Sequence, residues 1–210
     1  MRCPPINLGS EVVIHNKRSM RHYSSSTDKN KSNLRKKIIN LRKSFHKNDS
    51  ECGEAISINL IKYLINNKLI KKNLKIALYW PMGSEISTKQ SIAALNQFTE
   101  KILIASTENK NIKFRIWKPN TNITPYNLGF IINTKEYKNP DIIVCPLIAF
   151  DNKCNRLGRG GGFYDKVLNN YKTTRKIGFA YSIQNLNDIP TENHDIKMDA
   201  IITEKYIIEN

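Results

Sequence analysis

The stretch Arg156-Leu157-Gly158-Arg159-Gly160-Gly161-Gly162-Phe163-Tyr164-Asp165 gathers two guanidinium groups and four of the chain's nine glycines, and it ends in a carboxylate. Glycine lets backbone N–H groups approach a ligand with no side chain in the way, and a helix starting just beyond adds partial positive charge. Such a combination suits an anion, phosphate above all. The apolar run 142–150 leads in and a short helical segment, 165–168, leads out, so the glycines occupy a strand–loop–helix connection. Open α/β sheets bind ligands at such connections, beyond the carboxyl ends of their strands. Neither common nucleotide fingerprint is matched: no Lys-Ser or Lys-Thr follows the glycines as in a P-loop, and Phe163 stands where a dinucleotide fold needs a third small residue. A plain glycine-rich turn is the competing reading; two arginines beside the glycines favour phosphate.

The surrounding sequence reads as alternating helices and strands. Leu34, Ile38, Leu41 and Phe45 recur on one helical face, with Lys36, Lys37, Lys43 and Lys47 opposite. A second helix is expected over 51–66, with Ile56, Leu60 and Leu64 as its stripe. Residues 75–80 read as a strand stopped by Pro81, and Ser87 or Thr88 caps a helix running to about residue 98. Further strands are expected over 101–105, 113–117, 142–150, 176–180 and 200–203, with 119–129 as a loop. This pattern predicts a single α/β domain over residues 29–210, its mostly parallel sheet flanked by helices on both faces.

The formal charge of +16 is uneven: residues 1–47 carry 12 Lys/Arg against Glu11 and Asp28. Residues 1–28 are expected to form a disordered basic extension. Within it Arg21-His22-Tyr23-Ser24 resembles the cleavage region of a mitochondrial presequence, whereas Pro4-Pro5 and Glu11 spoil the amphipathic helix of such a leader. Two compartments stay open, the cytoplasm or, if residues 1–23 are a removed leader, the mitochondrial matrix. No window reaches the roughly 20 apolar residues of a membrane span. Cys3, Cys52, Cys145 and Cys154 show no C-x-x-C spacing, which argues for reduced thiols rather than a zinc site or disulfide framework.

The run Pro146-Leu147-Ile148-Ala149-Phe150-Asp151, followed by Asn155 through Asp165, resembles the signature of the 5-formyltetrahydrofolate cyclo-ligase (methenyltetrahydrofolate synthetase) family. Lys31-Ser32-Asn33-Leu34-Arg35 resembles that family's opening K-x-x-L-R, and Glu85-Ile86-Ser87-Thr88 its E-[IV]-x-T after the first strand. Gly178-Phe179-Ala180-Tyr181 with Gln184, and His194-Asp195, resemble its C-terminal segment. The resemblance therefore spans roughly residues 30–205 in order. It implies an enzyme that cyclises 5-formyltetrahydrofolate to 5,10-methenyltetrahydrofolate with ATP and Mg²⁺, through phosphorylation of the formyl oxygen.

By the same resemblance, Lys31, Ser32, Asn33, Leu34 and Arg35 would meet ATP, together with Arg156, Leu157, Gly158, Arg159, Gly160, Gly161, Gly162, Phe163 and Tyr164. Four residues apart, Lys31 and Arg35 share a helical face. Folate would lie against Arg35, Trp80, Glu85, Arg159 and the Gly160–Phe163 part of the loop; a carboxylate such as Glu85 can accept from adjacent N–H groups of an aminopyrimidine-like ring. Arg159 and Lys31 would be the catalytic cations, and Asp165 with Asp195 would hold the metal. Read alone, Asp165 serves equally as a helix N-cap and Asp195 as an Asx-turn. The chain departs from the family pattern in Ser106-Thr107-Glu108, where a proline is common, and in Phe163, where tyrosine is frequent. ATP and a reduced folate are thus the expected partners, with neither nucleic acid nor membrane, and a monomer is the expected state. Two alternatives compete: a basic nucleic-acid-binding protein and a non-catalytic folate-binding relative.

Overall fold

The computed structural model describes residues 20–210 apart from 110, 128, 193 and 194, with side chains from residue 30 onward. Four α-helices, α1 (Met20–Phe45), α2 (Asp49–Asn66), α3 (Lys89–Leu95) and α4 (Phe163–Asn169), accompany the strands. Those strands are β1 (Lys75–Leu78), β2 (Lys101–Glu108), β3 (Asn111–Ile116), β4 (Ile123–Tyr126), β5 (Gly129–Ile132), β6 (Ile142–Pro146), β7 (Ala149–Phe150), β8 (Arg156–Leu157), β9 (Arg175–Phe179), β10 (Ala200–Ile202) and β11 (Ile207–Glu209).

Seven strands form one sheet in the order β11-β10-β9-β6-β1-β2-β3. The inner five run parallel, and β3 and β11 pair antiparallel at the edges. Strands buried on both faces need apolar residues at successive positions, and 142–145 and 177–180 meet that need, Gly178 apart. Period-two alternation then sorts the side chains. Ile76, Leu78, Ile102, Ile104, Ile142 and Val144 pack in one core with α2 and α3. Ala77, Leu103, Ile143 and Cys145 pack in the other with Val167 and Leu168 of α4. Helices thus cover both faces, as the alternating pattern predicts. A third, small core joins Ile38 of α1 to Ile148, Ala149 and Leu157, seating α1 on the β7–β8 hairpin.

The element boundaries carry several corrections. Helix α1 starts at Met20, so residues 20–28, read as part of the extension, have helical backbone; residues 1–19 lie outside the described ones. Helix α3 ends at Leu95 rather than near 98, and the Thr88 hydroxyl at its N-cap donates to the Tyr79 carbonyl (2.8 Å) instead of capping. The expected loop 119–129 contains β4, which pairs with β5 as a hairpin. The run 142–150 splits into β6 and β7. Among the described residues no helix is long and apolar enough to cross a membrane. Cys52, Cys145 and Cys154 are free and buried.

Candidate active site

Strand β1 is followed in sequence by β2 on one side of it, while β6 lies on the other, so the sheet order reverses between β1 and β6. Ligands of open α/β sheets bind at such a reversal. Tyr79 and Trp80, just past β1, and Pro146, closing β6, line a cleft there, together with the glycine loop.

The loop is delivered by a tight hairpin. Buried Asp151 accepts from the N–H groups of Lys153 (2.9 Å), Asn155 (3.0 Å) and Ile189 (3.1 Å) and from the Asn155 amide (2.9 Å). These bonds close the turn between β7 and β8 and aim Arg156 at the cleft. Beyond β8, the backbone N–H groups of residues 159–163 have no protein acceptor among the described residues. Gly160 sits at φ +94°, in a region costly for other residues, and a Cβ there would lie 3.1 Å from the Arg35 guanidinium carbon. Arg35 itself donates from Nε to the Gly158 carbonyl (2.9 Å), so its cation lies flat along the loop. A run of free amides beside a guanidinium is an anion cradle. Because α4 has only seven residues, that cradle rests on amides and side chains rather than on the expected helix dipole.

Arg156 is almost wholly buried and binds Asp165 through a short Nη2–Oδ1 contact, while its Nε has no partner. Gly162, not Asp165, is the N-cap of α4. Asp165 remains in the cleft lining with Arg156 on its Oδ1. Asp195 does not join it: its Oδ2 accepts from the buried Lys31 ammonium (3.0 Å), which also reaches Glu192 (3.4 Å). Neither Lys31 nor Asp195 lines the cleft. Among the described residues no three His, Cys, Asp or Glu side chains gather to hold a metal. Ser32 and Asn33 face solvent, and Leu34 and Leu157 pack in the small core under α1.

Glu85 lies across the cleft, 4% exposed. Its Oε1 accepts from Nε (3.1 Å) and Nη2 (2.8 Å) of Arg159, and its Oε2 accepts from the Met82 N–H (3.0 Å). Several side chains pin this β1–α3 connection. Tyr79 donates to the Ile86 carbonyl (2.7 Å), Asp49 accepts from the Ser87 N–H (3.0 Å), and Arg42 donates to Ser84 Oγ (3.1 Å). Burial, reinforced by the Glu85 carboxylate, pushes the phenol of Tyr79 well above its ordinary range; burial does the same for Tyr164, with Cys145 and Glu85 adding to it. Both therefore stay neutral donors at physiological pH. Trp80 lines the cleft with Lys89 Nζ 5.4 Å from its ring centroid.

The opposite wall is the part that the sequence left open. Thr107 and Ala105 of β2 line it with Gly129 and Phe130 of the β4–β5 hairpin. Ser106 Oγ accepts from the Ile132 N–H (3.1 Å), which ties the hairpin to β2. Gly129 is obligatory there, since a Cβ would fall 2.1 Å from Thr107 Oγ1. The departure Ser106-Thr107-Glu108 is thus the seam holding this wall. Signals for the hairpin were weak: four-residue strands, one carrying Pro125. Arg42 was also missed, although Lys31, Arg35, Ile38 and Arg42 recur with the helical period.

A model of the 5-formyltetrahydrofolate cyclo-ligase family matches residues 27–204. The 5-formyltetrahydrofolate cyclo-ligase of Haemophilus influenzae is 36% identical over 146 residues, covering 60% of this chain and 74% of that protein. The solution structure of a 5,10-methenyltetrahydrofolate synthetase from Aquifex aeolicus superposes with a TM-score of 0.69 at 28% identity, covering 85% of this chain and 92% of the other. A Mycoplasma pneumoniae 5,10-methenyltetrahydrofolate synthetase superposes with a TM-score of 0.67 at 26% identity, over 83% and 98%.

Proposed function

The chain belongs to the 5-formyltetrahydrofolate cyclo-ligase family, and on that premise we propose that it converts 5-formyltetrahydrofolate and ATP to 5,10-methenyltetrahydrofolate, ADP and phosphate. The observation that carries this reading is one cleft holding both halves of the recognition problem. Free loop amides, with Arg35 bonded to the loop just outside the cleft lining, suit phosphates, and buried Glu85 suits a polar ring.

In this reaction the formyl oxygen on N5 attacks the γ-phosphorus of ATP, and ADP departs. The carbon on N5 is then an imidate-like electrophile; N10 attacks it, loses its proton and expels phosphate. Such chemistry asks the protein mainly for positioning and for cations around the transferring group. Arg35 and the glycine loop hold the phosphates. Arg156 holds Asp165, and Arg159 moves from Glu85 to the γ-phosphate, freeing Glu85 to accept from the ring N–H groups. Lys31, paired with Asp195, holds α1 to the segment before β10 and reaches phosphate only by leaving that pair.

Mg²⁺ fits this cleft through Asp165, since the ion keeps water and phosphate oxygens and takes only one or two protein carboxylates. When bound it would neutralise charge on the β- and γ-phosphates. A monomeric state is part of this proposal. The deciding experiment is formation of 5,10-methenyltetrahydrofolate, followed by its near-ultraviolet absorbance. Product is expected only when ATP and Mg²⁺ are both present; folded protein that yields none under those conditions refutes the reading.

A further inference from the structure

Arg42 is a cation that the proposed reaction does not use. It lies two turns beyond Arg35 on α1, 4% exposed, and does not line the cleft. Burying a guanidinium costs several kcal/mol unless protein partners replace its water. Arg42 recovers part of that cost from two acceptors: Nε donates to Ser84 Oγ (3.1 Å), and Nη1 donates to the Leu147 carbonyl (3.2 Å). Ser84 immediately precedes Glu85, and Leu147 immediately follows Pro146 at the end of β6. One buried side chain therefore ties α1 to both connections that flank the cleft, those leaving β1 and β6. Burial lowers the basicity of Arg42, the Glu85 carboxylate opposes that effect, and Arg159 adds to it, so the three charges share one neighbourhood.

This arrangement bears on a step that substrate binding requires. Arg159 occupies the Glu85 oxygen that a folate ring would need, and its side chain is 40% exposed and able to leave. Once it leaves, Glu85 keeps the Met82 N–H, and a buried carboxylate stripped of its cation is strongly disfavoured. We propose that Arg42 is a positioning residue for folate recognition, fixing the Glu85 connection from beneath and remaining as its buried cation when Arg159 turns to phosphate. The inference rests on the folate reading above.

Steady-state kinetics on Arg42→Met, Arg42→Lys and Ser84→Ala, with each substrate varied separately, test it. Arg42→Met should raise the folate KM by about tenfold or more while the ATP KM stays within about twofold, as loss of a hydrogen-bonded charge implies. Arg42→Lys should recover part of the folate KM, and Ser84→Ala should raise it by roughly threefold through the loss of one hydrogen bond. An unchanged folate KM in both Arg42→Met and Ser84→Ala overturns the proposal, and so does a parallel rise for both substrates. If Arg42→Met does not fold, Arg42→Lys and Ser84→Ala decide by the same criteria. Absence of turnover in the unaltered protein would instead refute the folate reading.

Discussion

Glu85 and Arg159 form an ion pair across the cleft, so the acid expected at the folate and a cation expected at both ligands hold one another. A carboxylate 5% exposed paired with a guanidinium 40% exposed is asymmetric: the arginine can move into solvent, whereas the acid cannot. Replacing each residue should therefore separate the two substrates. Glu85→Gln leaves the shape intact and removes the charge, and should raise the folate KM by about tenfold or more with little change for ATP. Arg159→Ala should lower kcat by about a hundredfold, the order of loss when one donor to developing charge is removed. Steady-state kinetics on both substrates check the pair; a matching defect from the two variants would contradict the division of roles. The chemical types here were legible in the sequence, because glycine and arginine declare their use locally. Their present partners were not. Arg159 bonds a residue 74 positions away, and Lys31 one 164 positions away.

The β7–β8 hairpin and helix α1 together set the site. Asp151 organises the hairpin with four hydrogen bonds from buried surroundings, three of them from backbone N–H groups. Asp151→Ala strands those donors and should destabilise the domain by about 3 kcal/mol or more. Urea denaturation measures it, and a loss under about 1 kcal/mol would show that the hairpin holds itself. Helix α1 was legible from its apolar period, and its outward lysines fell as expected, with Lys36, Lys37 and Lys43 exposed on it and Lys47 exposed just beyond its end. Arg42 escaped because a cation beside an apolar stripe ordinarily faces water; only the two connections packed against α1 give it acceptors. The β4–β5 hairpin escaped for another reason. Strands of four residues carry too few alternations to announce a period, and this one is held by contacts with β2.

Across the whole molecule, two carboxylates couple stability to acidity. Burial raises the pKa of Glu108, but hydrogen bonds from Arg115, Lys113 and Ser106 outweigh it and hold the group below its ordinary range. At Asp141 burial is likewise outweighed, by the Lys75 N–H and the Lys71 and Lys75 ammonium groups. A carboxyl whose pKa is lower folded than unfolded adds stability above the unfolded value, about pH 4, and loses it as pH falls toward the folded value. Thermal midpoints should therefore drop as pH falls below about 4. The double variant Glu108→Gln, Asp141→Asn should start lower at neutral pH and fall less steeply, whereas parallel curves would assign the acid loss to other groups. The sequence by itself determined the fold class, the glycine–arginine loop and the apolar face of α1. Each is written in residue types and short periods, which act through local sterics and burial. Only the tertiary structure decided which charges meet and what closes the far wall. Pairings such as Arg159–Glu85, Arg156–Asp165 and Arg42–Ser84, and the hairpin on β2, depend on distances between residues that the chain alone leaves unconnected.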